Sequence, residues 1–176
     1  MKKKVVALGL AIMLFVSICT QASAYSLWGY KWSSKAIYYE VHSNASGVNN
    51  TAFTGGIGSW NTNTNVTLIS SSVNKTVYCN VISMSTVDWD GLCSPYVSGS
   101  LFSEVFCFLN TYYTGSYSAN KRQSVAAHEI GHALGLADLS SGSTALMNGY
   151  TYYRYDTNGV YTVQTDDKNG VNYLYP

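Results

Sequence analysis

Apolar and polar positions along this chain change period several times, and each change marks an element. The run Ala36-Ile37-Tyr38-Tyr39-Glu40-Val41-His42 is rich in β-forming side chains and predicts a strand. Phe53, Ile57 and Trp60 then recur at helical spacing and predict an amphipathic helix over residues 51–61, although Gly55, Gly56 and Gly58 each cost it about 1 kcal/mol relative to Ala. Residues 66–69 and 76–84 read as two further strands separated by a Ser/Asn turn. The run Val105-Phe106-Cys107-Phe108-Leu109 does not alternate, which predicts a strand over 104–109 buried on both faces.

The helical period returns in 124–138, where Ala127, Ile130 and Leu134 form an apolar stripe; Asn120 with Gln123 is the expected reciprocal cap at its start. Asp166 and Asp167 open a last short helix that turns Val171 and Leu174 inward. Strands around one helix, then a second helix and a largely irregular end, predict an α/β-type domain with a twisted mixed sheet.

The first residues belong to a different pattern. Lys2, Lys3 and Lys4 precede an apolar run from Val5 to Ile18, and Ala22-Ser23-Ala24 supplies small residues for cleavage, the order of a secretory signal peptide. The expected division is residues 1–24 as signal peptide and 25–176 as one catalytic-size domain, secreted, monomeric and without stable membrane attachment. That division leaves seven basic and nine acidic residues, so no basic field exists to attract nucleic acid. Cys79, Cys93 and Cys107 remain, and an oxidising compartment predicts one bonded pair and one thiol. The equal spacing of Cys79, Cys93 and Cys107 does not choose the pair; the apolar surroundings of Cys107 favour it as the buried free thiol and Cys79 with Cys93 as the bond.

Chemistry enters with Ser124-Val125-Ala126-Ala127-His128-Glu129-Ile130-Gly131-His132-Ala133-Leu134-Gly135-Leu136-Ala137-Asp138. Residues four apart on a helix stand one above the other, so His128 and His132 present both imidazoles to one point, where a zinc ion can bind. Glu129 lies beside the first of them and can reach a water at that point without being a ligand. Gly135 can enter the left-handed conformation that ends a helix, turning the chain so that Asp138 comes round as third ligand. Asp88 and Asp90 lie in a turn-prone loop; calcium is the secondary reading there, since two carboxylates are few for an ion that takes six to eight oxygens. His42 reads as an ordinary strand residue.

With that motif, with Thr144-Ala145-Leu146-Met147, and with the tail from Gln164 through Asp166 and Asp167 to Tyr175, the chain resembles the metzincin metallopeptidases and is most similar to the matrixins. Asp138 departs from the matrixin pattern, which has a third histidine there, and is similar to the aspartate of snapalysin-like metzincins. The resemblance implies an α+β zincin of the metzincin fold: a twisted, mostly parallel sheet, a packed helix, an active-site helix, a Met-turn at Met147 and a C-terminal helix. It implies that Met147 supports the metal site from below, that residues 148–161 wall the pocket for the side chain after the scissile bond, and that their tyrosines favour apolar or aromatic side chains. It also implies that Asp166 meets the amine of Tyr25 while Asp167 braces the backbone near Met147. The short stretch between Tyr25 and the first strand leaves no room for an inhibitory pro-segment.

The expected function is therefore that of a secreted zinc endopeptidase acting on proteins or peptides, with zinc on His128, His132 and Asp138 and with Glu129 as general base and acid. The rival reading is a secreted wall- or glycan-associated binding protein that keeps the fold without turnover. Glu129, which metal binding alone does not require, favours the enzyme.

Overall fold

A computed structural model describes residues 25–176; the expected signal peptide lies outside the described residues. Five strands form the main sheet: β2 (Ala36–Val41), β3 (Thr67–Ser70), β4 (Val77–Ile82), β5 (Gly91–Ser98) and β6 (Leu101–Asn110), in the order β3-β2-β4-β6-β5. All neighbouring pairs are parallel except β5 with β6, so β5 is an antiparallel edge strand. A second, two-stranded sheet pairs β1 (Ser26–Leu27) with β7 (Leu136–Ala137) and brings the first described residues onto the turn after the motif helix.

Helix α1 (Val48–Asn63) buries Phe53, Ile57 and Trp60, the three residues that predicted it. One of the glycines that weakens it in isolation has a packing reason. A side chain at Gly56 would stand 2.9 Å from the Ala127 Cα, so its absence lets α1 lie backbone to backbone on α3 (Ala119–Ala133). Trp60 Nε1 then donates to the Ala127 carbonyl (2.9 Å), and Trp32 Nε1 to that of Ala133 (2.7 Å). Two indoles thus fix the motif helix against the core, and their buried N–H groups find partners.

Three expectations are corrected and one strand is added. The cap of α3 is Ser118, whose hydroxyl accepts from Lys121 N, not Asn120, which lies inside the helix. Strand β6 does alternate: Val105, Cys107 and Leu109 are fully buried towards the helices, while Phe106 and Phe108 stand on the other face, with Phe106 stacked on Tyr78 (4.6 Å between centroids). Mutual cover among aromatic rings makes that outer face apolar without burying it. The pairing of Cys79 with Cys93 fails on topology, because β6 runs between β4 and β5. Strands two apart lie about 9.5 Å from one another, beyond the roughly 7 Å a disulfide spans between Cα atoms. Strand β5 itself was not predicted, since Ser94, Pro95 and Ser98 obscure its period; as an edge strand it tolerates the proline.

A short helix α2 (Thr111–Thr114) links β6 to α3, a π-helical turn covers Tyr152–Thr157, and α4 (Thr165–Leu174) closes the chain. No helix among the described residues is long and apolar enough to cross a membrane.

Candidate active site

Helix α3 carries His128, Glu129 and His132 inward, all three 5% exposed. It ends where the motif predicted. Gly135 adopts φ 98°, its N–H returns to the His132 carbonyl (2.9 Å), and a side chain there would collide with the Tyr30 carbonyl. The chain turns through β7 and delivers Asp138 against both histidines: its Oδ1 lies 3.1 Å from His128 Nε2 and 3.4 Å from His132 Nε2.

These distances can be tested against the metal that the motif implies. Donor atoms bound at 2.0–2.1 Å around a tetrahedral zinc stand about 3.3 Å apart. Among the described residues, the converging group of three or more His, Cys, Asp or Glu donors is His128, His132 and Asp138. The set fits zinc in donor type and spacing. It is also oriented from behind, since His128 Nδ1 donates to the Leu146 carbonyl and His132 Nδ1 to that of Leu136, each at 2.9 Å. Those bonds place the ring protons on Nδ1 and leave both Nε2 lone pairs facing Asp138.

Without metal, the site's charges are strongly coupled. Burial, then the Arg154 cation, lowers His128 to about 3 against the pull of Asp138. Burial also works against a charged His132, but Asp138 and Glu129 raise it above the usual imidazole value. Burial raises Glu129 to about 7, opposed by His132 and Arg154. Asp138 is partly desolvated, yet the closeness of both histidines holds it well below the ordinary carboxylate range. A carboxyl poised near neutrality beside a metal-binding triad can move a proton in either direction.

Below the triad, Met147 is buried and its N–H donates to Asp167 Oδ1 (3.0 Å), while Leu146 N donates to Oδ2 (2.8 Å). Gln164 N also donates to Oδ2, closing the cap of α4. Asp167 thus joins the C-terminal helix to the turn whose Leu146 carbonyl holds His128, the bracing that the resemblance implied.

An open cleft of about 510 Å³ runs past the triad, rimmed by Tyr113, Tyr150 and Tyr152. Its floor is more polar than the tyrosines of 148–161 predict. Arg154, 1% exposed, donates through Nε to Ser124 Oγ (2.9 Å), through Nη1 to the Asn148 carbonyl (2.6 Å) and through Nη2 to Thr151 Oγ1 (2.8 Å). Thr151 Oγ1 donates in turn to Asp90 Oδ1 (3.2 Å), and Tyr117 donates to Oδ2 (3.1 Å). The buried cation is balanced through a hydroxyl instead of by direct contact. Arg154 Nη1 also stands 3.2 Å from His128 Nδ1, but that nitrogen already carries a proton, so the approach is not a hydrogen bond.

Sequence reasoning missed Trp28, whose ring covers His132, and Tyr117; it had Asp90 only in a candidate calcium loop and Thr151 and Arg154 only within the wall segment 148–161, not as one hydrogen-bonded set. The two signals, a carboxylate in a turn-prone loop and a lone arginine in a tyrosine-rich segment, lie some sixty residues apart and nothing in the sequence joins them. His42 lies outside the cleft, exposed just past β2, with Nδ1 accepting from Asn44 N (3.3 Å).

Comparison with known proteins shows the family of the chain. The matrixin family model matches residues 59–176, more than half of the chain. A protein of Spodoptera frugiperda ascovirus 1a named "Putative matrix metalloproteinase" is 41% identical over 70 residues, which cover 40% of this chain and 18% of that relative's length. Among solved structures, high choriolytic enzyme 1, a hatching enzyme zinc-protease from Oryzias latipes, superposes with a TM-score of 0.39 at 19% identity, covering 68% of this chain and 52% of that one. Myroilysin gives a TM-score of 0.43 at 14% identity, covering 83% and 76%. Both structural likenesses are distant.

Proposed function

Because the chain belongs to the matrixin family of peptidases, we propose that it is a zinc-dependent endopeptidase, exported through the leader pattern of residues 1–24 and acting on proteins or peptides outside the cell. One observation carries this reading: three donor atoms converge at the spacing of a tetrahedral zinc site, with the Glu129 carboxyl beside them in an open cleft.

His128, His132 and Asp138 would hold the ion. Zinc in such a site acidifies a bound water to a pKa of about 7 and polarises a carbonyl. Glu129, buried beside the three donors and lining the cleft, takes the proton of the attacking water and returns it to the departing amine. Arg154, anchored by three hydrogen bonds, gives the cleft floor a fixed positive charge beside His128. The substrate chain lies in the cleft between the start of β5 and the segment from Gly149 to Arg154.

The test is hydrolysis of a mixed peptide library by the protein and by Glu129→Ala, with zinc content measured for both. Cleavage by the wild type alone, at equal zinc content, is expected. Equal silence from two folded, zinc-loaded proteins would move the non-catalytic binding protein ahead.

A further inference from the structure

Three cysteines stand abreast on the sheet face that supports the motif helix. Cys107 on β6 is in register with Cys79 on β4 and with Cys93 on β5. All three are free and buried, and the Cys107 thiol donates to the backbone carbonyl of Glu129 (3.5 Å). Since Cys79 and Cys93 are two strands apart, Cys107 is a member of any bond the trio forms.

The backbone ladder separates its two neighbours. Asn110 N donates to the Asp90 carbonyl (2.9 Å), which makes Asp90 and Asn110 a hydrogen-bonded pair of the antiparallel ladder. Such pairs alternate with non-hydrogen-bonded ones. Stepping inward along the register, Gly91 with Leu109 is non-hydrogen-bonded, Leu92 with Phe108 is hydrogen-bonded, and Cys93 with Cys107 is non-hydrogen-bonded again. At that kind of pair the Cα atoms approach to about 4.5 Å and the side chains stand closest, inside the range a disulfide spans. The parallel ladder between Cys79 and Cys107 is evenly spaced and offers no such close pair. Access points the same way: Cys93 is 9% exposed and lines the cleft, whereas Cys79 and Cys107 are fully buried.

We propose that Cys93 and Cys107 form a disulfide that staples the edge strand of the cleft to the sheet directly behind Glu129, with Cys79 left as a buried thiol. The bond forms by exchange with an external disulfide, either a small molecule or an oxidoreductase. The Cys93 thiolate attacks one sulfur of that disulfide, breaking its S–S bond and expelling one thiolate. The Cys107 thiolate then attacks the Cys93 sulfur, forming the internal bond and expelling the second. The two electrons and the two protons leave with the two thiols of the reduced reagent. In the folded chain, burial and the neighbouring Cys107 thiol push the Cys93 thiol well up, so exchange belongs to the folding stage, before the strand closes. Once made, the link removes the Cys107 proton from the Glu129 carbonyl and fixes Gly91, Leu92 and Cys93, which line the cleft.

The full-length chain, refolded in a buffer of oxidised and reduced glutathione and then digested without reduction, decides the matter by peptide mapping. The expected map contains one linked peptide pair joining Cys93 to Cys107 and a Cys79 that reacts with an alkylating reagent only after denaturation. A folded Cys79→Ser variant keeps the same linked pair. A link between Cys79 and Cys107, or a folded wild type in which Cys93 and Cys107 are free or joined to other partners, overturns the assignment. Neither outcome depends on the protein being a peptidase.

Discussion

The indole of Trp28 lies flat on the imidazole of His132, the rings 4.7 Å apart and 6° from parallel. Trp28 owes that position to the first described strand: Leu27 pairs with Leu136, and Trp28 N donates to the Gly135 carbonyl (2.9 Å). At its edge the imidazole is held by Leu136 O, so His132 is fixed by a hydrogen bond and a stacked face together. Aromatic contacts of this kind contribute about 0.5–1.5 kcal/mol, roughly a two- to tenfold change in affinity. Trp28→Ala is therefore expected to weaken zinc binding by that factor in competition with a chromophoric chelator, and Trp28→Phe to restore most of it. Equal affinity in all three proteins would show that the stack leaves the ligand unaffected.

Gly91 opens β5 against the carboxyl of Glu129. A methyl group there would overlap Glu129 Oε1 and stand 2.6 Å from Val125 Cγ1. The end of a flexible side chain gives way more readily than the backbone, so Gly91→Ala should displace the carboxylate while the three metal donors stay in place. A shift of about 1 Å in a reacting group costs on the order of a hundredfold in rate. The variant is expected to bind zinc as the wild type does and to lose about that factor in kcat/KM. Unchanged turnover would mean that the carboxylate has more room than its packing shows.

Asp167 accepts three backbone N–H bonds, and two of them come from the turn that holds His128. Asp167→Ala leaves buried donors without partners and is expected to lower stability by about 3 kcal/mol. Asp167→Asn, which keeps one acceptor oxygen, should lose roughly half of that. Chemical denaturation measures both, and a chelator titration should show zinc affinity falling in the same order, because Leu146 is held by Asp167 through its N–H and holds His128 through its carbonyl. Reduced stability with unchanged affinity would confine Asp167 to the fold.

How far the sequence announced this arrangement depended on how locally each feature is encoded. His128, Glu129, His132 and the Gly135 turn lie within one helix and its end, so spacing alone placed them. Helix α1 was visible in Phe53, Ile57 and Trp60, but the reason for Gly56 lay in Ala127, a residue far along the chain. Trp28 on His132 depends on a two-residue strand pairing that has no period to read. Arg154 and Asp90 meet only through Thr151, across the cleft. The cysteine pairing failed for the same reason: spacing along the chain says nothing about β6 running between β4 and β5.

The metal-free protein should show the site's charges in its pH–stability profile. Glu129 is raised from 4.5 to about 7, so the folded chain keeps a proton that the unfolded chain has released, and this contribution to stability is lost as pH rises between those values. His128 is lowered from 6.5 to about 3, so the unfolded chain takes up its proton first, and stability is lost as pH falls from 6.5. Between 4.5 and 6.5 the two slopes oppose each other. Above 6.5 the raised His132 adds to the loss; below 3.8 the depressed Asp138 does. The chelated wild type is expected to hold a nearly level Tm from pH 4.5 to 6.5 and to fall on both sides. Glu129→Gln removes one of the opposing slopes, and its Tm should climb across the same interval. A wild-type Tm that climbs as steeply as the variant's would show that the Glu129 carboxyl is not held near neutrality by its burial.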